Sequence, residues 1–423
     1  MNKLYKYSQY NIEIENKPNG DTYLFNTYTS HGRWIPKADL DDIKDNQSID
    51  LGDVPIYLAK EQFIIPNNID EYERLTESNN NRLSNPSMLD LTIAVTRSCN
   101  YNCTYCFEKN ELGAGNISSK TIDGIIIFIE KKLMEHDFKS IRVVYFGGEP
   151  LLNISAIKEI AQKIKNITDV PIIGHITTNG RYLTPEAVKE LKDYNILSAQ
   201  ITLDGLPEEY AKLKGCKKSD FYEVIDNIKN VQDTIRIEIR INVGSNNVES
   251  VKKLISFLVN EGLKCTIYID NIKYYEHNEK EFKEDYADYV QSYKEIINHV
   301  YQNHYEDYFY KIKVRRACAA CQANMPYYFA IDIDGNIYKC PDFIFKKNFV
   351  VGNVQKGVTV QALDDIFIKN PLYTKCEKCA YKPLCNGLCT TDRIIFNKGI
   401  NCEALKEWYK YRLQLQLKYN GTA

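Results

Sequence analysis

The pattern of apolar and polar positions near the start of the chain indicates a β-hairpin. Residues 10–15 alternate between the two kinds of side chain, a Pro-Asn-Gly turn follows, and the strand pattern resumes at residues 22–25. Alternation with a period of two places the apolar side chains on one face, so the hairpin is expected to bury that face. Two short helices are expected after it, near residues 37–45 and 59–64.

A change in composition marks the end of this first segment. Residues 76–88 are polar, rich in asparagine and contain a proline, which is typical of a linker. We therefore expect residues 1–88 to form a separate unit that ends in a linker.

From residue 89 onwards, apolar runs of strand length alternate with amphipathic stretches of helix length. Strands are predicted at residues 89–96, 141–146, 170–177, 197–203, 235–243 and 263–270. Helices are predicted at residues 121–134, 155–167, 185–193, 221–231 and 248–261, and a charged helical segment is predicted after the sixth strand. Six βα units predict a parallel sheet, and right-handed crossovers curl such a sheet towards a barrel. Residues 89–272 are therefore expected to form an open α/β barrel of the (β/α)6 type, with its chemistry at the carboxyl ends of the strands.

The remaining residues fall into two further segments. Residues 273–315 are rich in tyrosine and charge and are expected to form amphipathic bridging helices. Residues 316–423 are rich in cysteine, contain a predicted hairpin around Gly335, and end in an amphipathic helix at residues 403–418.

Composition restricts the class of protein. A chain of 423 residues allows two or three folded units, and 44% hydrophobic with 26% charged residues is typical of globular proteins. The formal charge of −2 gives no electrostatic argument for nucleic-acid binding. The amino-terminal residues lack a signal-peptide pattern, and the longest apolar run, residues 124–129, is far shorter than the ~20 residues that span a bilayer. We expect a cytoplasmic protein with neither a nucleic-acid nor a membrane partner.

The thirteen cysteines carry the strongest chemical signal. Reducing compartments keep thiols free, so in a chain without an export signal metal binding is favoured over disulfides. Three cysteines lie within residues 99–106 and eight within residues 318–402. Cys216 and Cys265 stand apart from both groups and are expected to be packing residues.

The first group, Cys99, Cys103 and Cys106, directly follows the first strand of the predicted barrel. Three thiolates at this spacing are able to bind three irons of a [4Fe–4S] cluster, which leaves the fourth iron open to a small molecule. The rival interpretation is a zinc site, which would require a fourth Cys or His nearby. Residues 91–115 contain no further residue of either type.

A second motif, Gly147-Gly148-Glu149-Pro150, follows the second strand of the predicted barrel. Glycines let a ligand approach the backbone closely, and a carboxylate beside them is able to hold an ammonium group. Such turns are as often structural, so what points to binding is the position at the mouth of the same barrel.

Together these motifs resemble the radical S-adenosylmethionine (radical SAM) enzymes, over residues 89–270. In addition to the cysteine spacing, Tyr105 and Phe107 flank the last cysteine as aromatic residues do in that family. The resemblance implies that Cys99, Cys103 and Cys106 bind a [4Fe–4S] cluster whose open iron binds SAM. It also implies a set of SAM contacts, comprising Gly147, Gly148 and Glu149 on the methionine amine, Thr202 on the ribose, and Thr178, Asn179 and Asn242. For the last four residues, capping of a strand end is an equal alternative.

The same resemblance implies a reaction. One electron from the cluster cleaves a carbon–sulfur bond of SAM, and the resulting 5′-deoxyadenosyl radical takes a hydrogen atom from the substrate. A barrel suits this chemistry because it excludes water and other quenchers, while the cofactor supplies the reactivity.

The second group of cysteines resembles the SPASM domain, an extension of radical SAM enzymes that binds two auxiliary [4Fe–4S] clusters. Zinc knuckles built from paired CxxC motifs are the alternative. The resemblance assigns one cluster to Cys376, Cys379, Cys385 and Cys402. It assigns the other to Cys321, Cys340 and Cys389, and Cys318 either supplies its fourth ligand or leaves an iron open. Three [4Fe–4S] clusters and SAM are thus the implied cofactors.

Radical SAM enzymes with SPASM domains mostly modify peptides, and residues 1–88 resemble the recognition elements (RRE-like) that bind peptide leaders by strand addition. The alternative for residues 1–88 is a scaffold that covers the barrel. The resemblance implies a maturase that installs a crosslink, with a thioether favoured, in a ribosomally made precursor peptide that carries a leader. A flavodoxin or ferredoxin is the expected reductant.

Other functions remain open at this point. One is carbon–carbon crosslinking of the cyclophane type, and another is an anaerobic sulfatase-maturing enzyme that makes formylglycine. Those maturing enzymes carry an acidic residue directly after the cysteine that matches Cys340, whereas here Pro341 intervenes and Asp342 is the candidate base. A non-catalytic iron–sulfur electron relay is the alternative from outside the enzymes.

Overall fold

The computed structural model describes residues 4–420 except 45, 47, 274–284, 371–373, 398 and 400. The strands are β1 (Leu4–Tyr7), β2 (Asn11–Asn16), β3 (Thr22–Asn26), β4 (His31–Ile35), β5 (Ile49–Asp50), β6 (Ile64–Pro66), β7 (Met88–Thr96), β8 (Ser140–Gly147), β9 (Ile172–Thr178), β10 (Ile196–Thr202), β11 (Arg236–Val243), β12 (Cys265–Asn271), β13 (Tyr328–Ile331), β14 (Asn336–Tyr338), β15 (Gly352–Asn353) and β16 (Gly357–Val358). The helices are α1 (Lys37–Ile43), α2 (Tyr57–Lys60), α3 (Glu71–Ser84), α4 (Ser119–Glu135), α5 (Ile154–Ile167), α6 (Pro185–Asp193), α7 (Pro207–Lys214), α8 (Lys218–Val231), α9 (Val248–Asn260), α10 (Tyr286–Gln302), α11 (Gln361–Lys369), α12 (Lys382–Cys385) and α13 (Cys402–Asn420).

The predicted partial barrel is confirmed. Strands β7 to β12 are neighbours in chain order and pair in parallel throughout. Helices α4, α5, α6, α8 and α9 connect successive strands, as the alternating pattern predicts, and α7 is an additional helix between β10 and α8. Strand β8 shows the period-two burial of a half-buried sheet, with Ile141, Val143 and Tyr145 buried. On the opposite face, Arg142 binds Asp90 of β7 through two hydrogen bonds.

The predicted C-terminal hairpin is confirmed as β13 and β14, and Gly335 in the turn between them has a φ of +80°. Strand β13 also pairs in parallel with β7, so the barrel sheet continues into β14, β15 and β16. This pairing places β13 beside the first strand of the barrel, and Cys340 follows the next strand, β14.

Contacts along the chain divide it into two compact units. The terminal unit consists of Met1–Asn85, Lys311–Met325 and Lys369–Ala423, and the barrel unit consists of Pro86–Tyr310 and Pro326–Ile368. In the terminal unit the predicted hairpin is confirmed as β2 and β3, and β4 completes a three-stranded antiparallel sheet. A second small sheet has the order β5-β1-β6.

The hydrophobic core of the terminal unit joins the two ends of the chain. Ile14 and Phe25 of the first sheet pack with Leu384 of α12 and Leu413 of α13. The predicted segments 1–88 and 316–423 therefore share a core, while the functions assigned to them stay predictions.

The linker predicted at residues 76–88 is wrong over most of its length, because residues up to Ser84 belong to α3. The side chain of Asp70 accepts a hydrogen bond from the Glu73 backbone and begins the helix. The buried face of α3 consists of Glu71, Leu75 and Asn79, which lie one turn apart. Because only one residue of this buried face is apolar, the sequence shows no helical pattern of apolar positions here.

The predicted bridging segment is described only in part. Helix α10 (Tyr286–Gln302) lies within it and is confirmed, whereas residues 274–284 lie outside the described residues. Of the helices in the described ranges, none combines the length and the apolar character needed to cross a membrane.

The shared core generates a stability prediction. Leu413 is 1% exposed, so Leu413→Ala should leave a cavity and destabilise the terminal unit by about 2–5 kcal/mol. The chain's two tryptophans, Trp34 and Trp408, both belong to this unit, so urea unfolding followed by tryptophan fluorescence reports on it directly. Lys410→Ala, at an exposed position of the same helix, is the matched control and should change stability by less than about 0.5 kcal/mol. Equal unfolding midpoints for the two variants would contradict this packing.

Candidate functional site

The three cysteines of the first group lie on one loop between β7 and α4, which we call the cysteine loop (residues 97–115). All three side chains are partly buried. Burial raises the pKa of Cys99 to about 11 and the pKa of Cys106 to about 12, and it also raises the pKa of Cys103. Metal binding must therefore displace protons from these thiols, as is general for thiolate ligands.

The Gly-Gly-Glu segment at the end of β8 packs directly against the start of this loop. The Gly148 N–H donates to the Thr96 carbonyl at 3.1 Å, and the Glu149 N–H donates to the Ser98 carbonyl at 2.8 Å. A Cβ atom on Gly147 would lie 2.3 Å from the Thr96 oxygen, and one on Gly148 would lie 2.4 Å from the Ser98 oxygen. Both glycines are therefore required for packing against the cysteine loop, whatever ligand they also contact.

The Glu149 side chain is completely buried and fixes the neighbouring strand end. Its Oε1 atom accepts hydrogen bonds from Leu151 N at 3.0 Å and from Thr178 Oγ1 at 2.8 Å. Its Oε2 atom accepts one from Asn179 N at 2.8 Å. Burial raises the pKa of Glu149 to about 6, although these three hydrogen bonds favour its ionised form. Glu149 thus connects the carboxyl ends of β8 and β9.

Two further contacts connect the cysteine loop to the barrel strands. The Asn179 side chain donates to Asn100 Oδ1 at 2.7 Å. The ring of Phe107 stacks on that of Phe146, with 6.1 Å between the centroids. The motif residues of β8 and β9 and the cysteine loop therefore form one connected group.

The remaining predicted SAM contacts lie on the next two strands. Thr202 is the last residue of β10 and is half-buried. Asn242 of β11 is buried, and its backbone N–H donates to Asp204 Oδ1 at 3.0 Å. The Asn242 side-chain oxygen accepts a hydrogen bond from Arg240 Nε at 2.9 Å. In this structure these groups of Asn242 therefore bind other protein residues, Asp204 and Arg240.

Glu108 is a site residue that the sequence did not reveal. It follows Cys106 by two positions and is 4% exposed, and its Oε1 atom has no hydrogen-bond partner among the described residues. Burial raises the pKa of this carboxyl to about 8. A buried acceptor of this kind is expected to be satisfied by a ligand or by water. No sequence pattern marks it, because an acidic residue in a loop usually lies in solvent.

Charged side chains gather where β11 and β12 end. Arg240 binds Asp270 at 3.0 Å, and Lys273 binds Asp342 at 2.7 Å. The candidate base Asp342 therefore lies in the barrel unit, beside the carboxyl end of β12.

In the terminal unit, four predicted ligands of one auxiliary cluster lie on short segments around α12 and at the start of α13. Burial, reinforced by the neighbouring Cys379 and Cys376, raises the pKa of Cys385 to about 11. The Gly387 N–H donates to Cys385 Sγ at 3.4 Å. Lys406 lies within electrostatic range of both Cys379 and Cys402. Cys385 is therefore near Cys376 and Cys379, and Lys406 is near Cys379 and Cys402.

The ligands predicted for the other auxiliary cluster are divided between the units. Cys318, Cys321 and Cys389 belong to the terminal unit, whereas Cys340 is buried in the barrel unit. Their assignment to one cluster stays a prediction.

The three thiols of the cysteine loop are suitable ligands for an iron–sulfur cluster. Three thiols lie on one loop, and the two glycines bring the backbone of β8 against it. In the described ranges, no three His, Cys, Asp or Glu side chains converge on one point as ligands of a single metal ion would. A [4Fe–4S] cubane is larger than an ion, so its thiolates need not converge in that way.

Comparison with known proteins agrees with this geometry. Residues 93–258 match the family model of the radical SAM superfamily. The cysteine-type anaerobic sulfatase-maturating enzyme of Clostridium perfringens is 23% identical over 363 residues, which cover 77% of this chain and 96% of that enzyme.

Two solved structures share the fold. The anSMEcpe structure with bound AdoMet and a Kp18Cys peptide has a TM-score of 0.63 at 17% identity, covering 78% of this chain and 98% of its own. The structure of Streptococcus suis SuiB bound to precursor peptide SuiA has a TM-score of 0.54 at 15% identity, covering 93% of this chain and 97% of its own. The expected architecture, a radical SAM partial barrel with amino-terminal and carboxyl-terminal extensions, is confirmed, and the chain carries a radical SAM domain.

Proposed function

We propose that this chain is a radical SAM maturase that installs a crosslink, with a thioether favoured, in a ribosomally synthesised precursor peptide. The observation that carries the proposal is the cysteine loop, held against the Gly-Gly-Glu segment at the barrel mouth. In this proposal Cys99, Cys103 and Cys106 hold a [4Fe–4S] cluster with one iron open for SAM. The cluster and SAM together would supply a 5′-deoxyadenosyl radical, while the residues of the chain orient SAM and peptide and exclude water.

The methionine amine of SAM is assigned to the segment Gly147 to Glu149. The Glu149 carboxylate already accepts three hydrogen bonds from protein groups, so its role is to hold this segment in place. The backbone carbonyls of the segment then receive the amine. Thr178, Asn179, Thr202 and Asn242 remain proposed contacts at the ends of their strands.

The extent of the SuiB likeness supports a peptide substrate with a leader. An alignment that covers 93% of the chain must include most of residues 1–88, whereas one that covers 78% is able to omit them. In the terminal unit, the Gln414 side chain donates to the Ile14 carbonyl on β2, at one edge of the first sheet. Within the described residues, β3 is the only strand that pairs with β4, so we assign the leader to the edge of β4.

A sulfatase-maturing activity is the second candidate, and two observations favour it. The maturating enzyme of Clostridium perfringens aligns over 96% of its length. Asp342, two residues after Cys340, reaches the charged group at the end of β12. The products distinguish the candidates by mass spectrometry. A thioether removes two hydrogen atoms and leaves the cysteine sulfur in the peptide, whereas formylglycine made from cysteine has lost the sulfur.

The auxiliary clusters complete the proposal. Cys376, Cys379, Cys385 and Cys402 hold one, and Cys321, Cys340 and Cys389, with or without Cys318, hold the other. Electrons leave the substrate through these clusters, a cytoplasmic flavodoxin or ferredoxin reduces the SAM-binding cluster, and the expected iron content is about twelve per chain. Zinc in place of iron would contradict this assignment.

Replacing the three cysteines of the loop tests the cofactor assignment. The variant with Cys99, Cys103 and Cys106 changed to alanine should lose SAM cleavage and retain about eight irons per chain, because the auxiliary ligands are intact. The measurement is release of 5′-deoxyadenosine after anaerobic reconstitution and reduction with dithionite. Cys265→Ala, at the opposite end of the barrel strands, is the control and should cleave SAM normally. Undiminished cleavage by the triple variant would overturn the assignment.

Replacing Glu149 tests whether its carboxylate holds the segment in place. In Glu149→Gln an amide nitrogen would replace an acceptor oxygen, either opposite the Asn179 N–H or opposite Leu151 and Thr178. One buried donor would then lose its partner, so the SAM-free protein should be destabilised by about 1–3 kcal/mol. Urea unfolding followed by circular dichroism measures this, while tryptophan fluorescence of the terminal unit should stay unchanged. An unfolding curve identical to that of the unmodified protein would show that these hydrogen bonds contribute nothing.

The leader assignment has its own test. A precursor peptide found among the short open reading frames beside the gene should be crosslinked by the reconstituted enzyme, and removal of its leader should slow crosslinking at least tenfold. Cleavage of SAM in the absence of peptide should be the same in both reactions. Equal crosslinking rates with and without the leader would contradict a recognition function for residues 1–88.

A further inference from the structure

Helix α7 contacts the cysteine loop at residues other than those that contact the Gly-Gly-Glu segment. The Thr104 N–H donates to the Leu213 carbonyl at 2.8 Å, and the Asn102 N–H donates to the Lys214 carbonyl at 3.0 Å. The last carbonyls of a helix have no partner within the helix, and here the cysteine loop supplies one. Gly215 ends the helix with a φ of +61°, and a Cβ atom there would lie 2.5 Å from the Asn102 oxygen.

The same helix end carries a buried cation. The side chain of Lys214 is 5% exposed, and that of its partner Asp204 is fully buried, with 3.2 Å between their charged atoms. Lys214 Nζ also lies 2.5 Å from the Tyr105 hydroxyl, which in turn donates to Asp204. Because Tyr105 is part of the cysteine motif, this hydrogen-bonded trio ties the loop to the end of β10.

The position of Asp204 is itself fixed. Its Oδ1 atom accepts the Asn242 N–H at 3.0 Å, and its Oδ2 atom binds Lys214 and Tyr105. Buried charges persist in proteins when they are paired and hydrogen-bonded in this way. The Lys214 ammonium group is therefore held in one place and cannot swing out to solvent.

The fixed ammonium group lies within electrostatic range of the cysteine thiols. Burial alone would lower the pKa of Lys214, but Asp204, Cys103 and Cys106 outweigh it. Lys214 Nζ lies 2.5 Å from the hydroxyl of Tyr105, which directly precedes Cys106. The Lys214 carbonyl accepts a hydrogen bond from Asn102, which directly precedes Cys103. The ammonium group is therefore close to the residues that carry these two thiols.

We propose that Lys214 is a positioning residue for the SAM-binding cluster, which anchors the cysteine loop and raises the reduction potential of that cluster. Reduction adds one electron from an external donor, such as dithionite or a flavodoxin, and transfers no atom. The reduced cluster with its thiolates is more negative by one charge, so a buried cation nearby stabilises it more than the oxidised form. Asp204 holds the cation and partly opposes its field.

This inference rests on the proposed binding of a [4Fe–4S] cluster by Cys99, Cys103 and Cys106. Its test is a redox titration of the reconstituted full-length protein, followed by electron paramagnetic resonance. The signal that changes when SAM is added identifies the amino-terminal cluster. If the unmodified protein shows no such signal, the proposed function fails, and the contribution of Lys214 fails with it.

Four variants distinguish the effect of the Lys214 charge on the reduction potential from its effect on the structure of the loop. Lys214→Met should make reduction of the cluster about tenfold less favourable, which for one electron is a fall in reduction potential of about 59 mV. Lys214→Arg keeps the positive charge, so its reduction potential should stay close to that of the unmodified protein. Asp204→Asn should shift the potential in the opposite direction, because it removes the opposing charge and keeps the acceptor for Asn242. Lys212→Met, at an exposed position of the same helix, is the matched control and should leave the potential unchanged.

An unchanged potential in Lys214→Met, with iron content and SAM response intact, would overturn the proposal. If Lys214→Met does not assemble the cluster, Asp204→Asn decides the question. A rise in potential supports the proposal, and a fall or no change refutes it.

Discussion

The site depends on how the backbone of the cysteine loop is held. A loop has no periodic hydrogen bonding of its own, so its buried N–H and carbonyl groups need partners from neighbouring elements. Here the end of β8 donates to the carbonyls of Thr96 and Ser98, and the end of α7 accepts from the N–H groups of Asn102 and Thr104. The three cysteines are thus carried by a segment that hydrogen bonds from two neighbouring elements hold in place without a cofactor.

This arrangement gives the proposed SAM-binding site a local electrostatic setting. Glu149 connects two strand ends through hydrogen bonds, and Lys214 and Asp204 form a buried ion pair near the end of α7. Both groups are shielded from water, so their fields act on the site with little screening. The terminal unit is the part we assign to the peptide leader, because among the described residues β4 pairs with no strand other than β3.

The sequence predicted the barrel because its strands and helices have strong periodicity, and it predicted the cysteine loop because ligand spacing is a local property. It did not reveal the pairing of β13 with β7, since strand partners distant in the chain leave no local pattern. Helix α3 was missed because its buried stripe is mostly polar. The partners of Glu149 and Lys214 were also hidden, because a single charged residue in a sequence usually indicates a solvated surface.

The central claim is that the cysteine loop holds a cluster with one iron open to SAM. Mössbauer spectroscopy of protein reconstituted with isotopically enriched iron, recorded before and after addition of SAM, tests it most directly. The account predicts that one iron of the amino-terminal cluster differs from the other three and changes its spectrum when SAM binds. A spectrum in which every iron keeps full thiolate and sulfide coordination, unchanged by SAM, would contradict the account.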